Sequence, residues 1–168
     1  MDRRYPVGKF EMEKAPAPAR RAQWIDEIAA LPAKFRAAVE SLPTGALDRK
    51  YREGGWTGRQ VVHHIADSHI NSYVRFRLAL TENGPIVKPY AEAKWAELDD
   101  ARTLDPAASL DLLEALHTRW VALLRSMDEQ QWSRKFYHPE LGEQDLVTTV
   151  ALYAWHGRHH LGHIELLR

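Results

Sequence analysis

Trp155-His156-Gly157-Arg158-His159-His160-Leu161-Gly162-His163, inside the last segment from Leu146 to Leu167, decides how the rest of the chain is read. At about 100° per residue in a helix, that segment has one face of Ala151, Ala154, Arg158, Gly162 and Glu165, which reads as its polar side. The opposite arc carries Leu146, Val150, Tyr153, Ile164 and Leu167, and its middle falls on Thr149, His156 and His160. Two imidazoles four residues apart therefore sit where burial should be deepest. Side chains at that spacing start about 6 Å apart and can converge on one ion, at roughly 2.0–2.1 Å each for zinc. The competing reading is a pair of core histidines satisfied by backbone or water. A third ligand from elsewhere would decide between them.

Composition narrows the choice. The 168 residues fit one domain spanning 1–168 with room for a proper core. Lys plus Arg equals Asp plus Glu at 23 each, which argues against nucleic acid or an anionic membrane as the main partner. There is no cysteine, so any metal site must be built from histidine and carboxylate. The first residues lack the apolar stretch of a signal peptide, and no apolar run approaches a membrane span, so a soluble cytoplasmic protein is expected.

Residues 1–18 read as an irregular arm, punctuated by Pro6, Gly8, Pro16 and Pro18. From Arg20 to Ser41, Trp24, Ile25, Ile28, Leu31, Phe35 and Val39 recur at helical spacing, and Pro32 is expected to kink or split that helix. Thr57-Gly58-Arg59-Gln60 fits a capping box, opening a helix that Asn83-Gly84-Pro85 stops. Its core stripe of Val61, Ile65, Phe76 and Ala79 is interrupted by Ser68 and Ser72. Residues 85–105 form a long connection with a short helix near 91–98, where Tyr90 and Trp95 supply something to bury. Asp105-Pro106 starts the next helix, which runs to Met127, and Asp128 can cap one more turn. Residues 136–144 read as a loop or small hairpin before Asp145 caps the last helix. Four substantial helices with few strand signals predict an all-α four-helix bundle with one long crossover connection, a class that builds metal sites from facing helices.

For the third ligand, His63 and His64 lie in the second turn of the best-capped helix and point about 100° apart. At most one of them can join a site, and His64 is nearer the core stripe. Below it Ser68, Asn71 and Arg75 form a polar strip, readable as a solvated face or as the lining of a substrate pocket.

Gly54-Gly55-Trp56-Thr57-Gly58-Arg59-Gln60-Val61-Val62-His63-His64-Ile65-Ala66-Asp67-Ser68 resembles the first motif of the DinB/YfiT-like family, and Trp155 to His160 resembles its closing His-x-x-x-His. The stretches Asp67 to Tyr73, Phe136 to Pro139 and Tyr5-Pro6-Val7-Gly8 are similar to the YfiT branch in particular. That resemblance implies a four-helix bundle holding one divalent ion per chain, nickel or zinc, through three histidines that map onto His64, His156 and His160. It implies a homodimer and a metal-dependent hydrolase, with thiol S-transferases of the bacillithiol type among the relatives. The family pattern often has Gln at the place of His163, which argues against His163 as a ligand.

Three neutral imidazoles leave an ion its full charge and an open position, as in catalytic zinc sites. Such an ion can acidify water to a pKa of about 7 and polarise a carbonyl of a small-molecule substrate, or hold a low-molecular-weight thiol as its thiolate. Asp67, one turn past His64, could orient an imidazole as an acceptor or be an ordinary surface carboxylate. Arg75 and Asn71 could bind an anionic substrate group, with an exposed ion pair as the competing reading. Two readings compete with the enzyme: a structural module with the ion closed off by His159, His163 or Asp67, and a metal-free bundle.

Overall fold

In the computed structural model, which describes residues 2–168, the elements follow in the order α1 (Pro18–Glu40), a 3-10 turn (Ala46–Asp48), α2 (Gly58–Thr81), α3 (Glu92–Trp95), α4 (Asp99–Thr103), α5 (Ala107–Ser126), α6 (Glu129–Trp132), β1 (Lys135–His138), β2 (Gly142–Asp145) and α7 (Leu146–Glu165). The four long helices make the bundle. Helix α1 packs on α7 and α5, and α2 packs on those same two. So α1 and α2 lie on one diagonal, and α5 and α7 on the other. Residues 82–106 are the long crossover from α2 to its neighbour α5, whereas the connections before α2 and before α7 each join diagonal partners. This arrangement sets the first motif, on α2, beside the last motif, on α7.

Local chemistry fixes where α2 begins. The Thr57 side chain accepts from the Gln60 backbone N–H, and the Gln60 side chain accepts in return from the Thr57 N–H at 3.0 Å. The Gln60 amide also donates to the Ala96 carbonyl at 2.7 Å, tying the crossover to the same turn. At the far end, the Arg134 guanidinium donates to the carbonyls of Ala79 and Glu82, which the helix itself leaves open. The short strands β1 and β2 pair antiparallel, with Phe136 opposite Gln144, and lead into α7, whose Asp145 carboxylate accepts from the Thr148 N–H at 2.7 Å.

Three expectations need correcting. Helix α1 is not split at Pro32: it continues for two more turns, because only one backbone bond is lost and the ring is buried. The face of α7 read as polar is mostly covered. Ala151 and Ala154 belong to the core, and Gly162 lies beneath the arm, with Pro6 where a Cβ would stand. Small residues there permit close approach rather than exposure; at Gly157 a Cβ would come within 2.6 Å of the Leu31 side chain on α1. Finally, Trp95 stays 40% exposed, its ring tilted at 56° against Tyr90 rather than entering the core.

The apolar core has two parts. One is built on Ile28, Phe76, Trp120 and Val150, from the first half of α1 and α7 and the second half of α2 and α5. The other is built on Phe35, Ile65, Leu113 and Ile164, from the remaining halves. His64, His69, His117, His156 and His160 belong to neither part, and all but His156, which is half-buried, are buried. Gly157→Val tests the close contact of α1 and α7. Overpacking there should cost about 1–3 kcal/mol, read as a lower urea midpoint with unchanged slope.

Candidate metal centre

His64 comes from the second turn of α2, and His156 and His160 from the middle of α7. One ring nitrogen from each lies within 4.8 Å of the others. The His64 ring centre is 4.7 Å from that of His160 and 5.5 Å from that of His156, while those two are 4.5 Å apart. The rings meet at steep angles, 58° to 69°, so each presents a nitrogen edge rather than stacking. No hydrogen bond among the described residues occupies a ring nitrogen of His64.

Electrostatics keep these rings neutral. Burial pushes His64 down to about 4, with the nearby His159 and His163 adding to it. Burial likewise holds His156 and His160 well below the ordinary histidine range, reinforced by the other rings of the cluster. A neutral imidazole keeps a lone pair, which is the form that binds a cation. Three such donors from two helices, with no carboxylate among them, fit a divalent transition metal.

His63 turns the other way. Its ring nitrogens face the Ser109 hydroxyl at 2.7 Å and the Leu104 carbonyl at 3.2 Å, on α5 and the crossover. His159, His160 and His163 form a second cluster of nitrogens within 4.8 Å. All three come from one stretch of α7, and His160 is common to both clusters. His163 stacks on Tyr51 at 4.0 Å and His159 on Trp155 at 4.6 Å. His163 Nδ1 also lies 3.3 Å from His160 Nδ1, placing it behind that ring as a hydrogen-bond partner.

The polar strip of α2 is only partly a surface. Ser68 is buried, its hydroxyl 3.5 Å from that of Tyr153. Ser72 and the Tyr90 hydroxyl are also enclosed and have no hydrogen-bond partner among the described residues. Asn71 spends its amide on the Asp67 carbonyl, one turn back. Arg75 is half-buried and forms no ion pair among the described residues, while its charge acts on Glu92, His138 and Tyr153. Among the described residues the Asp67 carboxylate makes no hydrogen bond to any ring; burial and the nearby Asp100 raise it to about 6.

Two further ring contacts come from residues to which the sequence reading assigns no role. His69 Nε2 lies 3.2 Å from His156 Nδ1, and His69 Nδ1 lies 2.8 Å from His117 Nε2. The available signal was a histidine on the core stripe of the helix from Pro106 to Met127.

The pH dependence of stability follows. His64, His117 and His163 are each pushed down to about 4, from an unfolded value near 6.5. Below that unfolded value the unfolded chain binds more protons, so folded metal-free protein loses stability as pH falls from 6.5 towards 4. Asp67, raised to about 6, and Glu92, also raised by burial, work in the opposite direction but are outnumbered by the lowered histidines, which include His63 and His159. Melting of the metal-free protein should drop by roughly 5 °C or more between pH 7 and pH 5, and a flat profile would contradict the buried neutral rings.

The chain as a whole has close counterparts. The sequence pattern of the DinB superfamily matches residues 27–164. A relative from Bacillus subtilis (strain 168), named "Putative metal-dependent hydrolase YfiT", is 48% identical over 164 residues, covering 97% of this chain and 92% of the relative. A Bacillus cereus (strain 03BB102) relative, named "Putative metal-dependent hydrolase", is 51% identical over 167 residues, covering 99% and 96%. The solved structure of YfiT from Bacillus subtilis, described as a probable metal-dependent hydrolase with an unusual four-helix bundle topology, matches with a TM-score of 0.95 at 46% identity, covering 99% of this chain and 96% of that one. With the family pattern matching residues 27–164, nearly half of the residues identical over almost the whole length and the bundle shared, the chain belongs to the DinB superfamily.

Proposed function

We propose that this protein is a metal-dependent hydrolase of a small molecule, with His64, His156 and His160 holding one divalent ion, zinc or nickel. The observation that carries this reading is the convergence of three neutral imidazoles, two buried and one half-buried, from two helices. The names of the relatives from Bacillus subtilis and Bacillus cereus support it. An ion with three neutral ligands and an open position supplies Lewis acidity towards a carbonyl and acidifies water.

The chain supplies the rest. Burial excludes bulk water from the rings, and the enclosed hydroxyls of Ser68 and Tyr153 offer donors close to Arg75. An unpaired, half-buried guanidinium suits an anionic group on the substrate. Asp67 does not orient a ring and serves instead as a carboxyl that changes charge near pH 6, in the range useful for proton transfer.

Protein purified without a histidine tag should carry about one equivalent of divalent metal by elemental analysis. His64→Ala, His156→Ala and His160→Ala should each lose it, whereas His63→Ala and Asp67→Asn keep it. Metal absent after reconstitution would end the catalytic reading. Activated esters and amides, offered with and without a low-molecular-weight thiol and an electrophilic acceptor, separate the reactions. Turnover of esters or amides alone supports hydrolysis; turnover only with thiol present would replace it with a thiol S-transferase.

A further inference from the structure

Pro32 has no N–H, so the Ile28 carbonyl one turn earlier loses its helical partner. A carbonyl buried without a donor is costly. Here His117 Nδ1 lies 2.7 Å from the Ile28 oxygen. A carbonyl only accepts, so the hydrogen must be on His117 Nδ1. Burial pushes His117 down to about 4, so this ring is neutral and carries no second hydrogen. Its Nε2 is then a bare acceptor, 2.8 Å from His69 Nδ1. His69 must therefore donate from Nδ1 and leave its own Nε2 bare. That atom lies 3.2 Å from His156 Nδ1, which donates in turn.

We propose that Pro32, His117 and His69 are positioning residues, forming a one-directional row of hydrogen bonds that starts at the Ile28 carbonyl, crosses all four long helices and leaves Nε2 of His156 as its free donor nitrogen. The row passes from α1 to α5 to α2 to α7, between helices that are neighbours at every step. Packing restrains the middle rings. His69 and His117 lie nearly parallel, at 11°, and Trp120 stands edge-on to both, at 88° and 89°. Tyr153 also stands edge-on to His69, at 77°, and packs edge-on against Trp120. A ligand ring with a fixed tautomer and orientation binds a cation without first sorting its protons. Such a row gives Pro32 a purpose in the middle of a long helix.

The inference rests on the metal reading for its purpose, but its geometry is testable without metal. In metal-free protein labelled with 15N histidine, two-bond 1H–15N correlations at pH 7.5 report which ring nitrogen carries hydrogen. His117, His69 and His156 should all be protonated at Nδ1 and bare at Nε2; the opposite tautomer at any of the three overturns the row. For function, His69→Phe keeps a ring of similar size but cannot accept from His156, whereas His69→Gln offers an amide oxygen near the place of Nε2. Chelator competition with zinc should find affinity about 10–100-fold weaker in His69→Phe, with much of it restored in His69→Gln. Equal affinity in wild type and His69→Phe, or no restoration by Gln, would reduce His69 to packing and overturn its role. The wild-type spectrum decides the row even where a variant does not fold. Wrong tautomers beside a stoichiometric ion would sink the row alone; correct tautomers in a wild-type protein that binds no ion would sink the metal reading and, with it, the positioning role.

Discussion

A buried imidazole has two nitrogens, and neither can be left without a partner at no cost. That requirement shapes the middle of this bundle. His69 and His117 are wholly enclosed, and their nitrogens are satisfied by one another, by His156 and by a backbone carbonyl. His64 and His160 stand at the end of this arrangement with nitrogen lone pairs that protein groups only partly occupy. The apolar clusters above and below supply most of the cohesion, and the layer between them supplies the chemistry. A continuous apolar core would be simpler to build, so the polar layer is the part of the fold that needs a functional reason.

The topology makes that layer reachable from two ends of the sequence. Because α1 and α2 occupy opposite corners, α2 is free to lie against α7. The capping box at Thr57 and Gln60 then sets where α2 starts, and hence where His64 falls along it. Gly58 comes so close to Leu167 that a Cβ would stand 2.6 Å from its side chain, which brings the start of α2 to the end of α7. Two helices pinned in this way leave little freedom for the rings they carry.

Helix boundaries were legible in the sequence because they depend on local rules; periodicity placed His64, His156 and His160 on or beside buried stripes, and the family resemblance joined them as one set. Thr57 with Gln60, Asp128, Asp145 and the Asn83-Gly84-Pro85 stop are chemistry within a few residues. Periodicity also separated His64 from His63, since adjacent residues diverge by about 100°. It could not reveal neighbours. A hydrophobic stripe says that a helix has an inside but not which helix faces it, so the diagonal connections and the row through His69 and His117 were hidden. Nor does periodicity distinguish an alanine or glycine facing solvent from one facing a tightly packed helix, which is why Ala151, Ala154 and Gly162 were placed on the wrong side. Of the two roles open to Asp67, ring orientation and a plain carboxylate, only spacing suggests the first; in the fold, other histidines contact the rings.

The arm lies along α7 at the level of its histidines. Pro6 sits on Gly162, Tyr5 approaches His159, and the Trp155 indole donates to the Gly8 carbonyl at 3.1 Å. Arg3 reaches the Leu166 carbonyl at the end of the same helix. A leader peptide or fusion partner joined ahead of Tyr5 would thus pull on the very helix that bears His156 and His160. A change at the first few residues, remote in sequence from every ligand, is mechanically next door to two of them.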